Sequence, residues 1–214
     1  MKKINTIIKL LEAEYPNAKT ELIYNKNIPY QLVVCVILSA QATDASVNKV
    51  TKPLFKKYKT VYDFARANEE DLIFYTKSIN FYRAKTRNII KNAKTLIKDF
   101  GGVLPKNIAD LTKLPGIGRK SANVILQEVY GIGEGIVVDT HMLRVSNRLN
   151  LQKCVSPKDP IKVEQELLKV VPKNKYISFS RRIVLLGRYV CKARKPLCTS
   201  CVLNKICPSA FLEN

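Results

Sequence analysis

The sequence predicts an all-α protein built as two domains. Apolar residues recur at helical spacing along most of the chain, and residues that favour helix ends separate these runs. No segment shows the alternating pattern of a half-buried strand. Hydrophobic residues make up 46% of the 214 positions, enough for folded cores rather than a disordered chain. A glycine-containing break at residues 131–135 marks the expected domain boundary.

Six helices are predicted before residue 101. The first, residues 4–15, is amphipathic and stops at Pro16. The second, residues 30–39, follows Pro29 and is apolar on every side, which indicates a helix at the centre of a core. The other four are predicted from their end signals: a helix from Asp44 to about residue 58, short helices after the caps Thr60 and Asn68, and a long helix between Asn80 and Gly101.

A helix, a tight turn and a second helix follow. Pro105 introduces a short helix over residues 108–113, and the second helix covers residues 119–130 with one apolar face. Between them, Pro115–Gly118 is too short for anything but a tight reversal, and its two glycines permit positive φ. Three further helices are predicted over residues 141–149, 161–171 and 176–190.

The start of the second helix of this hairpin has the properties of a phosphate-binding site. A helix N-terminus presents free N–H groups and the positive end of the dipole. Arg119 and Lys120 occupy its first turn, where the macrodipole favours acidic residues, at a cost of roughly 0.3–1 kcal/mol per cation. Two basic residues at positions that favour acidic ones suggest that the pair has a function. The alternative is a glycine-containing turn followed by solvated basic side chains.

The charge of the chain indicates a polyanionic partner. Thirty-seven Lys and Arg against 17 Asp and Glu give a net charge of +20, which favours nucleic acid over a membrane surface or an acidic protein. A generally basic proteome or a solubility effect is the alternative. The single histidine, His141, excludes a multi-histidine metal site. We find no secretory signal and no apolar stretch long enough to cross a bilayer, so a soluble cytoplasmic protein is expected.

Four cysteines near the C-terminus form the second strong signal. Cys191, Cys198, Cys201 and Cys207 have the spacing C-x6-C-x2-C-x5-C, and cysteines this dense in an intracellular protein favour metal over disulfides. Four thiolates suit either structural zinc or an iron–sulfur cluster, and the absence of two separated C-x2-C pairs favours the cluster. Basic residues between the first two cysteines are expected to contact a phosphate backbone; they are Lys192, Arg194 and Lys195.

The two other cysteines are not assigned to this site. Cys35 lies in the apolar run at residues 32–38 and is expected to be a buried small hydrophobe. Cys154 lies outside the spacing of the other four, and no role is predicted for it.

Four separated features, taken together, carry a family resemblance. Three are the segments Leu38–Asp44 (LSAQATD), Leu114–Lys120 (LPGIGRK) and Val138–His141 (VDTH), and the fourth is the set of four cysteines. In type and in order along the chain, these features resemble those of the endonuclease III family. Its members are DNA glycosylases of the helix-hairpin-helix, Gly/Pro-Asp superfamily. The resemblance implies a six-helix domain over residues 22–132 and a [4Fe–4S] cluster domain over residues 133–214. The N-terminal helix, within residues 1–21, is expected to belong to the cluster domain. It also implies a DNA-binding cleft between the domains, with the active site at their junction.

The resemblance further implies an enzyme of base excision repair. The expected activity is a bifunctional DNA glycosylase and AP lyase that removes oxidised pyrimidines from duplex DNA and cleaves the strand through a lysine Schiff base. Lys120 matches the family's nucleophile and Asp139 its essential carboxylate. The alternatives from the residues themselves are a phosphate-contacting cation for Lys120 and a helix N-cap for Asp139, which can also combine capping with catalysis. His141 is expected to be a packed or DNA-backbone residue rather than a base.

DNA contacts are implied at several further positions. Backbone groups around Gly116 and Gly118 are expected to hold phosphates. Gln41 matches the family's inserting glutamine, and Phe81 occupies the position of a second apolar wedge that fills the gap left by a flipped nucleotide. An ordinary surface loop is the alternative for both positions.

Three rival functions remain open at this point. A monofunctional glycosylase of the same fold, such as a mismatch enzyme, is expected to lack a lysine at position 120. A non-catalytic helix-hairpin-helix module explains the charge but not Asp139, and a redox protein does not need a charge of +20. The family resemblance implies a monomer that works on nucleoid DNA.

Overall fold

A computed structural model describes residues 2–152 and 158–211, and Cys154 lies outside these residues. The described residues contain eleven α-helices and no strand, which confirms the predicted all-α fold. The helices are α1 (Lys2–Glu14), α2 (Pro29–Leu38), α3 (Asp44–Lys57), α4 (Val61–Ala65), α5 (Glu69–Thr76), α6 (Tyr82–Phe100), α7 (Ile108–Leu111), α8 (Arg119–Ile125), α9 (Thr140–Arg148), α10 (Pro160–Val170) and α11 (Tyr176–Tyr189).

The chain divides into two compact units. Glu21–Ile132 forms one unit, here called the hairpin unit, and Met1–Thr20 with Gly133–Asn214 forms the other, here called the cysteine unit. Each unit has its own cluster of buried apolar side chains. No helix among the described residues is both long enough and apolar enough to traverse a lipid bilayer.

The core of the hairpin unit is organised around α2. Every residue from Tyr30 to Leu38 is buried, as the continuous apolar run predicts. The long helix α6 packs against α2, α4 and α5. It ends where Gly101 adopts the left-handed conformation with φ of 61°, which a residue without Cβ reaches at little cost.

The cysteine unit is built on the packing of α9 against α11, with α1 on α11. At Gly187 of α11 a Cβ atom would lie 2.8 Å from the Cβ of His141 on α9. Glycine is therefore required at this position, because any side chain would separate the two helices.

Local capping signals are mostly correct, with one correction. Thr60 and Asn68 are N-caps as predicted. The prediction that Asp44 caps α3 is wrong, because the Thr43 hydroxyl oxygen accepts the Ser46 N–H at 3.2 Å and Asp44 is already helical. Asn107, for which no capping role is predicted, is the N-cap of α7. The helix predicted over residues 119–130 changes to a π-helix at Leu126–Tyr130.

Candidate functional site

The hairpin between α7 and α8 is held rigidly on the face of α6. The Asn92 side-chain N–H donates to the Pro115 carbonyl oxygen at 2.8 Å, and Leu114 and Ile117 are buried on either side of the turn. Gly116 has φ of 82°, and a Cβ there would lie 3.2 Å from the Asn88 Cβ. Glycine is needed here both for the backbone conformation and for the close approach to α6.

Gly118 has a different role from Gly116. Its φ of −94° is open to any residue, so of the two glycines that permit a positive φ Gly116 adopts one and Gly118 does not. A Cβ built on Gly118 would meet no protein atom within 4 Å, and the residue caps α8 without a side-chain hydrogen bond. Nothing in the local fold therefore requires glycine at this position. Because Gly118 has no side chain, the first turn of α8 is accessible to a ligand.

Lys120 and Arg119 lie in that first turn, and both are exposed. Because α8 continues into the buried residues Ala122, Asn123 and Ile125, the helix that carries the two cations is anchored in the core of the hairpin unit. The arrangement presents a primary amine and a guanidinium to solvent from a fixed backbone.

Asp139 is the N-cap of α9 in the cysteine unit. One carboxylate oxygen, Oδ1, accepts the Met142 N–H at 2.8 Å, and the other, Oδ2, lies 2.9 Å from Nδ1 of His141. The Asp139 side chain is 16% exposed, so the carboxylate is largely buried yet still reachable. The predicted capping role is confirmed, and the histidine holds the carboxylate in one orientation.

The two predicted wedge residues, Gln41 and Phe81, both project from the hairpin unit. Both have left-handed backbones, with φ of 53° and 57°, although neither is glycine. Phe81 is 66% exposed, and Gln41 is also exposed. Such backbone conformations cost of order 1–3 kcal/mol and are frequent at functional sites.

The four clustered cysteines line a single pocket in the cysteine unit, together with Arg148. All of the described cysteines have free thiols, including Cys35, which is fully buried as predicted. Burial raises the pKa of the Cys201 thiol, and the neighbouring Cys191, Cys207 and Cys198 raise it further. Burial is also the main cause of the raised pKa of Cys207.

Two arginines of α9 hold the beginning of the cysteine loop. Arg144 donates to the carbonyl oxygens of Cys191 at 3.0 Å and of Gly187 at 2.7 Å. Arg148 donates to the Lys192 carbonyl oxygen at 2.6 Å and lies 3.3 Å from the Cys191 Sγ. These bonds fix the path of the chain at the start of the loop. Its basic residues Lys192, Arg194 and Lys195 are all exposed.

The four thiols form a donor set that suits a metal centre. Across residues 2–152 and 158–211, no three or more histidine, cysteine or acidic side chains are arranged to hold a single metal ion. Thiolates that share one zinc ion would each lie about 2.3 Å from it. Four thiolates that line one pocket can hold either a structural zinc ion or an iron–sulfur cluster, so the donor set fits the group that the cysteine spacing favours.

Comparison with known proteins is consistent with these features. Residues 34–173 match the profile of the HhH-GPD superfamily of base excision DNA repair proteins. Endonuclease III of Synechocystis sp. is 42% identical over 204 residues, which cover 95% of this chain and 91% of that protein. The chain belongs to the endonuclease III family. Endonuclease III of Bacillus subtilis is also 42% identical, over 97% of this chain and 92% of that protein.

The fold comparison agrees with the sequence comparison. A solved endonuclease III, trapped as a covalent intermediate with DNA, superposes with a TM-score of 0.90 at 40% identity, over 98% of this chain and 96% of that one. Membership of the endonuclease III family confirms the predicted function: a bifunctional DNA glycosylase and AP lyase of base excision repair, acting on damaged pyrimidines.

The structure adds supporting residues that the sequence interpretation missed. Asn92 fixes the hairpin, Arg148 reaches the cysteine pocket, and Lys85 is a buried lysine behind the Gln41 loop. A signal for Lys85 was present, because it lies four residues before Ile89 and therefore on the apolar face of α6. No comparable signal marks Arg148, whose partners are more than 40 residues away.

Proposed function

We propose that this endonuclease III family member excises oxidised pyrimidines with Lys120 as nucleophile and Asp139 as the carboxylate that assists. The observation that carries the proposal is the exposed amine of Lys120 in the first turn of α8, beside the bare Gly118. That a related endonuclease III has been trapped as a covalent intermediate with DNA supports a covalent mechanism here.

In the first half-reaction the neutral amine of Lys120 attacks C1′ of the flipped nucleotide. The bond from C1′ to the base breaks, and the base leaves with the electron pair and is protonated. Positive charge develops at C1′ as the base departs, and the Asp139 carboxylate is proposed to stabilise it electrostatically or to relay a proton. The bonds from Met142 and His141 to Asp139 hold the carboxylate ready without reorganisation.

In the second half-reaction the sugar ring opens and Lys120 forms a Schiff base with C1′. Loss of a proton from C2′ then expels the 3′ phosphate by β-elimination, and water finally releases the lysine. The Schiff base supplies the electron sink that this elimination needs, which is why a lysine, rather than a water-activating residue, gives lyase activity.

DNA binding is proposed to involve both units of the protein. The N–H groups around Gly116 and Gly118 bind phosphates, aided by Arg119 and without reading sequence. Gln41 and Phe81 fill the space left by the flipped nucleotide. In the cysteine unit, His141 and the exposed Lys192, Arg194 and Lys195 contact the backbone of the same duplex.

A [4Fe–4S] cluster is proposed in the cysteine pocket, with Cys191, Cys198, Cys201 and Cys207 as its ligands. When bound, the group would cross-link the loop through four iron–thiolate bonds. The loop then presents its basic residues in fixed positions. We also infer that the protein acts as a monomer on nucleoid DNA in the cytoplasm. The likeness to a solved endonuclease III–DNA complex supports DNA as the partner.

Borohydride trapping on DNA with an abasic site tests the role of Lys120. Reduction of the Schiff base should give a stable covalent complex whose cross-linked peptide contains Lys120. Lys120→Gln keeps the length and hydrogen bonding of the side chain but lacks the nucleophile, so trapping and strand cleavage should vanish while binding persists. Lys94→Gln, which changes an exposed lysine on α6 of the same unit, is the control and should trap normally. Undiminished trapping by Lys120→Gln would contradict the assignment.

A further inference from the structure

The loops that carry Gln41 and Phe81 have a common support. Gln41 lies just beyond the end of α2, and Phe81 is the N-cap of α6. The Asn80 side-chain N–H donates to the Gln41 carbonyl oxygen at 3.3 Å, which joins the two loops at the surface. A left-handed backbone at a non-glycine residue persists only where the surrounding structure holds it. Gln41 and Phe81 both have this conformation, so neighbouring residues must hold the two loops in place.

The Lys85 side chain provides a restraint from inside the fold. It comes from the first turns of α6, and the residue is only 6% exposed. Its ammonium group donates to the Leu38 carbonyl oxygen at 2.9 Å and to the Ala40 carbonyl oxygen at 2.6 Å. Its backbone N–H donates to the Phe81 carbonyl oxygen at 3.1 Å. The backbone bond is the first main-chain bond of α6 and does not depend on the side chain. The ammonium group therefore ties the chain before Gln41 to the first turn of α6, the helix that Phe81 caps, and the Asn80–Gln41 bond joins the two loops at the surface.

A buried ammonium group is a costly way to fill space in a core, and the Lys85 ammonium is such a group. Burial lowers the pKa of the Lys85 ammonium, which means that the charged form bears a desolvation cost. Within the described residues Lys85 makes no ion pair, and its partners are main-chain carbonyls at a helix C-terminus. That end of a helix favours a cation. A methionine would fill the same space without the desolvation cost, so the three donors of the ammonium must supply something that packing does not.

We infer that Lys85 is a positioning residue that holds Gln41 and Phe81 as one rigid insert before DNA binds. The inference rests on the proposed function, in which these two side chains enter the duplex. A wedge that is already ordered does not lose conformational entropy during insertion, so a larger share of the contact energy is available to open the base pair. Lys85 does not contact the substrate or Lys120 itself; it acts through the two wedge residues.

Lys85→Met tests the inference, because it keeps the stem and removes the donors. Base excision from duplex DNA should fall by about 10- to 100-fold, the scale expected when inserting groups are misplaced by about 1 Å. The fluorescence rise of 2-aminopurine placed beside the lesion, which reports base-pair opening, should shrink in parallel. Lys94→Met on the outer face of the same helix should change neither measurement.

A double-mutant cycle distinguishes positioning from general damage. In a Gln41→Ala background, and separately in a Phe81→Ala background, Lys85→Met should cost much less than it does in the wild-type protein. Equal fold losses in all three backgrounds would overturn the inference. Leu96→Ala, which removes a fully buried side chain of α6, should lower the melting temperature without showing this coupling.

Asn80→Ala provides a second variant that removes only the exposed link to Gln41 and does not disturb the core. It should lower excision in the same direction as Lys85→Met but by a smaller factor. No change in excision or fluorescence for Asn80→Ala, together with an uncoupled Lys85→Met, would refute the inference. Failure of the proposed function is distinguishable, because the wild-type protein itself would then give no borohydride trapping.

Discussion

Asp139 allows a structural role and a chemical role to be separated in one side chain. It caps α9 through Oδ1, which accepts the Met142 N–H, while Oδ2 faces His141. Asparagine is as good an N-cap as aspartate, so Asp139→Asn should keep the capping bond and change the free energy of unfolding by only a few tenths of a kcal/mol. Asp139→Ala removes the cap and should cost about 0.5–2 kcal/mol of stability.

The effect on chemistry should be much larger than the effect on stability. Asn lacks the negative charge, so single-turnover base release by Asp139→Asn should be slower by about 10²-fold or more. That factor corresponds to about 2.7 kcal/mol of transition-state stabilisation. Cleavage of a pre-formed abasic site should suffer less, because no base has to leave. Borohydride trapping on such a site should therefore persist.

Asp159 provides a matched control in the same unit. It caps α10 by accepting the N–H groups of Ile161 and Lys162 with one oxygen. Asp159→Asn should leave both stability and excision unchanged, and Asp159→Ala should lower stability by an amount similar to Asp139→Ala without slowing excision beyond that loss. The measurements are denaturant unfolding and the rate of base release. If Asp139→Asn releases base at the wild-type rate, the carboxylate is only a helix cap and has no role in base excision.

Two further predictions follow from the cysteine unit. Protein purified under exclusion of oxygen should be brown and contain about four irons. Cys198→Ser should lower both the iron content and the folding yield, while Cys35→Ser should change neither. Stoichiometric zinc without iron in elemental analysis would contradict the cluster. For undamaged duplex, the logarithm of affinity should fall linearly with the logarithm of salt concentration, by about 0.9 per phosphate neutralised. Lys195→Ala should weaken binding to all sequences alike and flatten that slope by about one unit, whereas an affinity nearly independent of salt would be incompatible with the polyanion interpretation.

Local sequence signals predicted the helices well, because they act between residues that are close along the chain. The caps Thr60 and Asn68 were identified from the residue types themselves, and the continuous apolar run of α2 predicted its complete burial. Where two neighbouring residues could both cap, as Thr43 and Asp44 can, the residue type did not decide between them. In the structure Thr43 has an extended backbone just before α3, and its hydroxyl oxygen accepts the Ser46 N–H. Thr43 is therefore the N-cap.

The helical architecture, the basic charge, the cysteine spacing and the family motifs are all visible in the sequence, because periodicity, composition and short motifs are properties of neighbouring residues. Tertiary structure alone decided which side chains support the predicted sites. Asn92 meets the hairpin 23 residues away, Lys85 meets the end of α2 more than 40 residues away, and Arg148 meets the cysteine loop at a similar separation. Contacts of this kind depend on how helices pack, and packing brings together residues whose separation in sequence follows no repeating pattern.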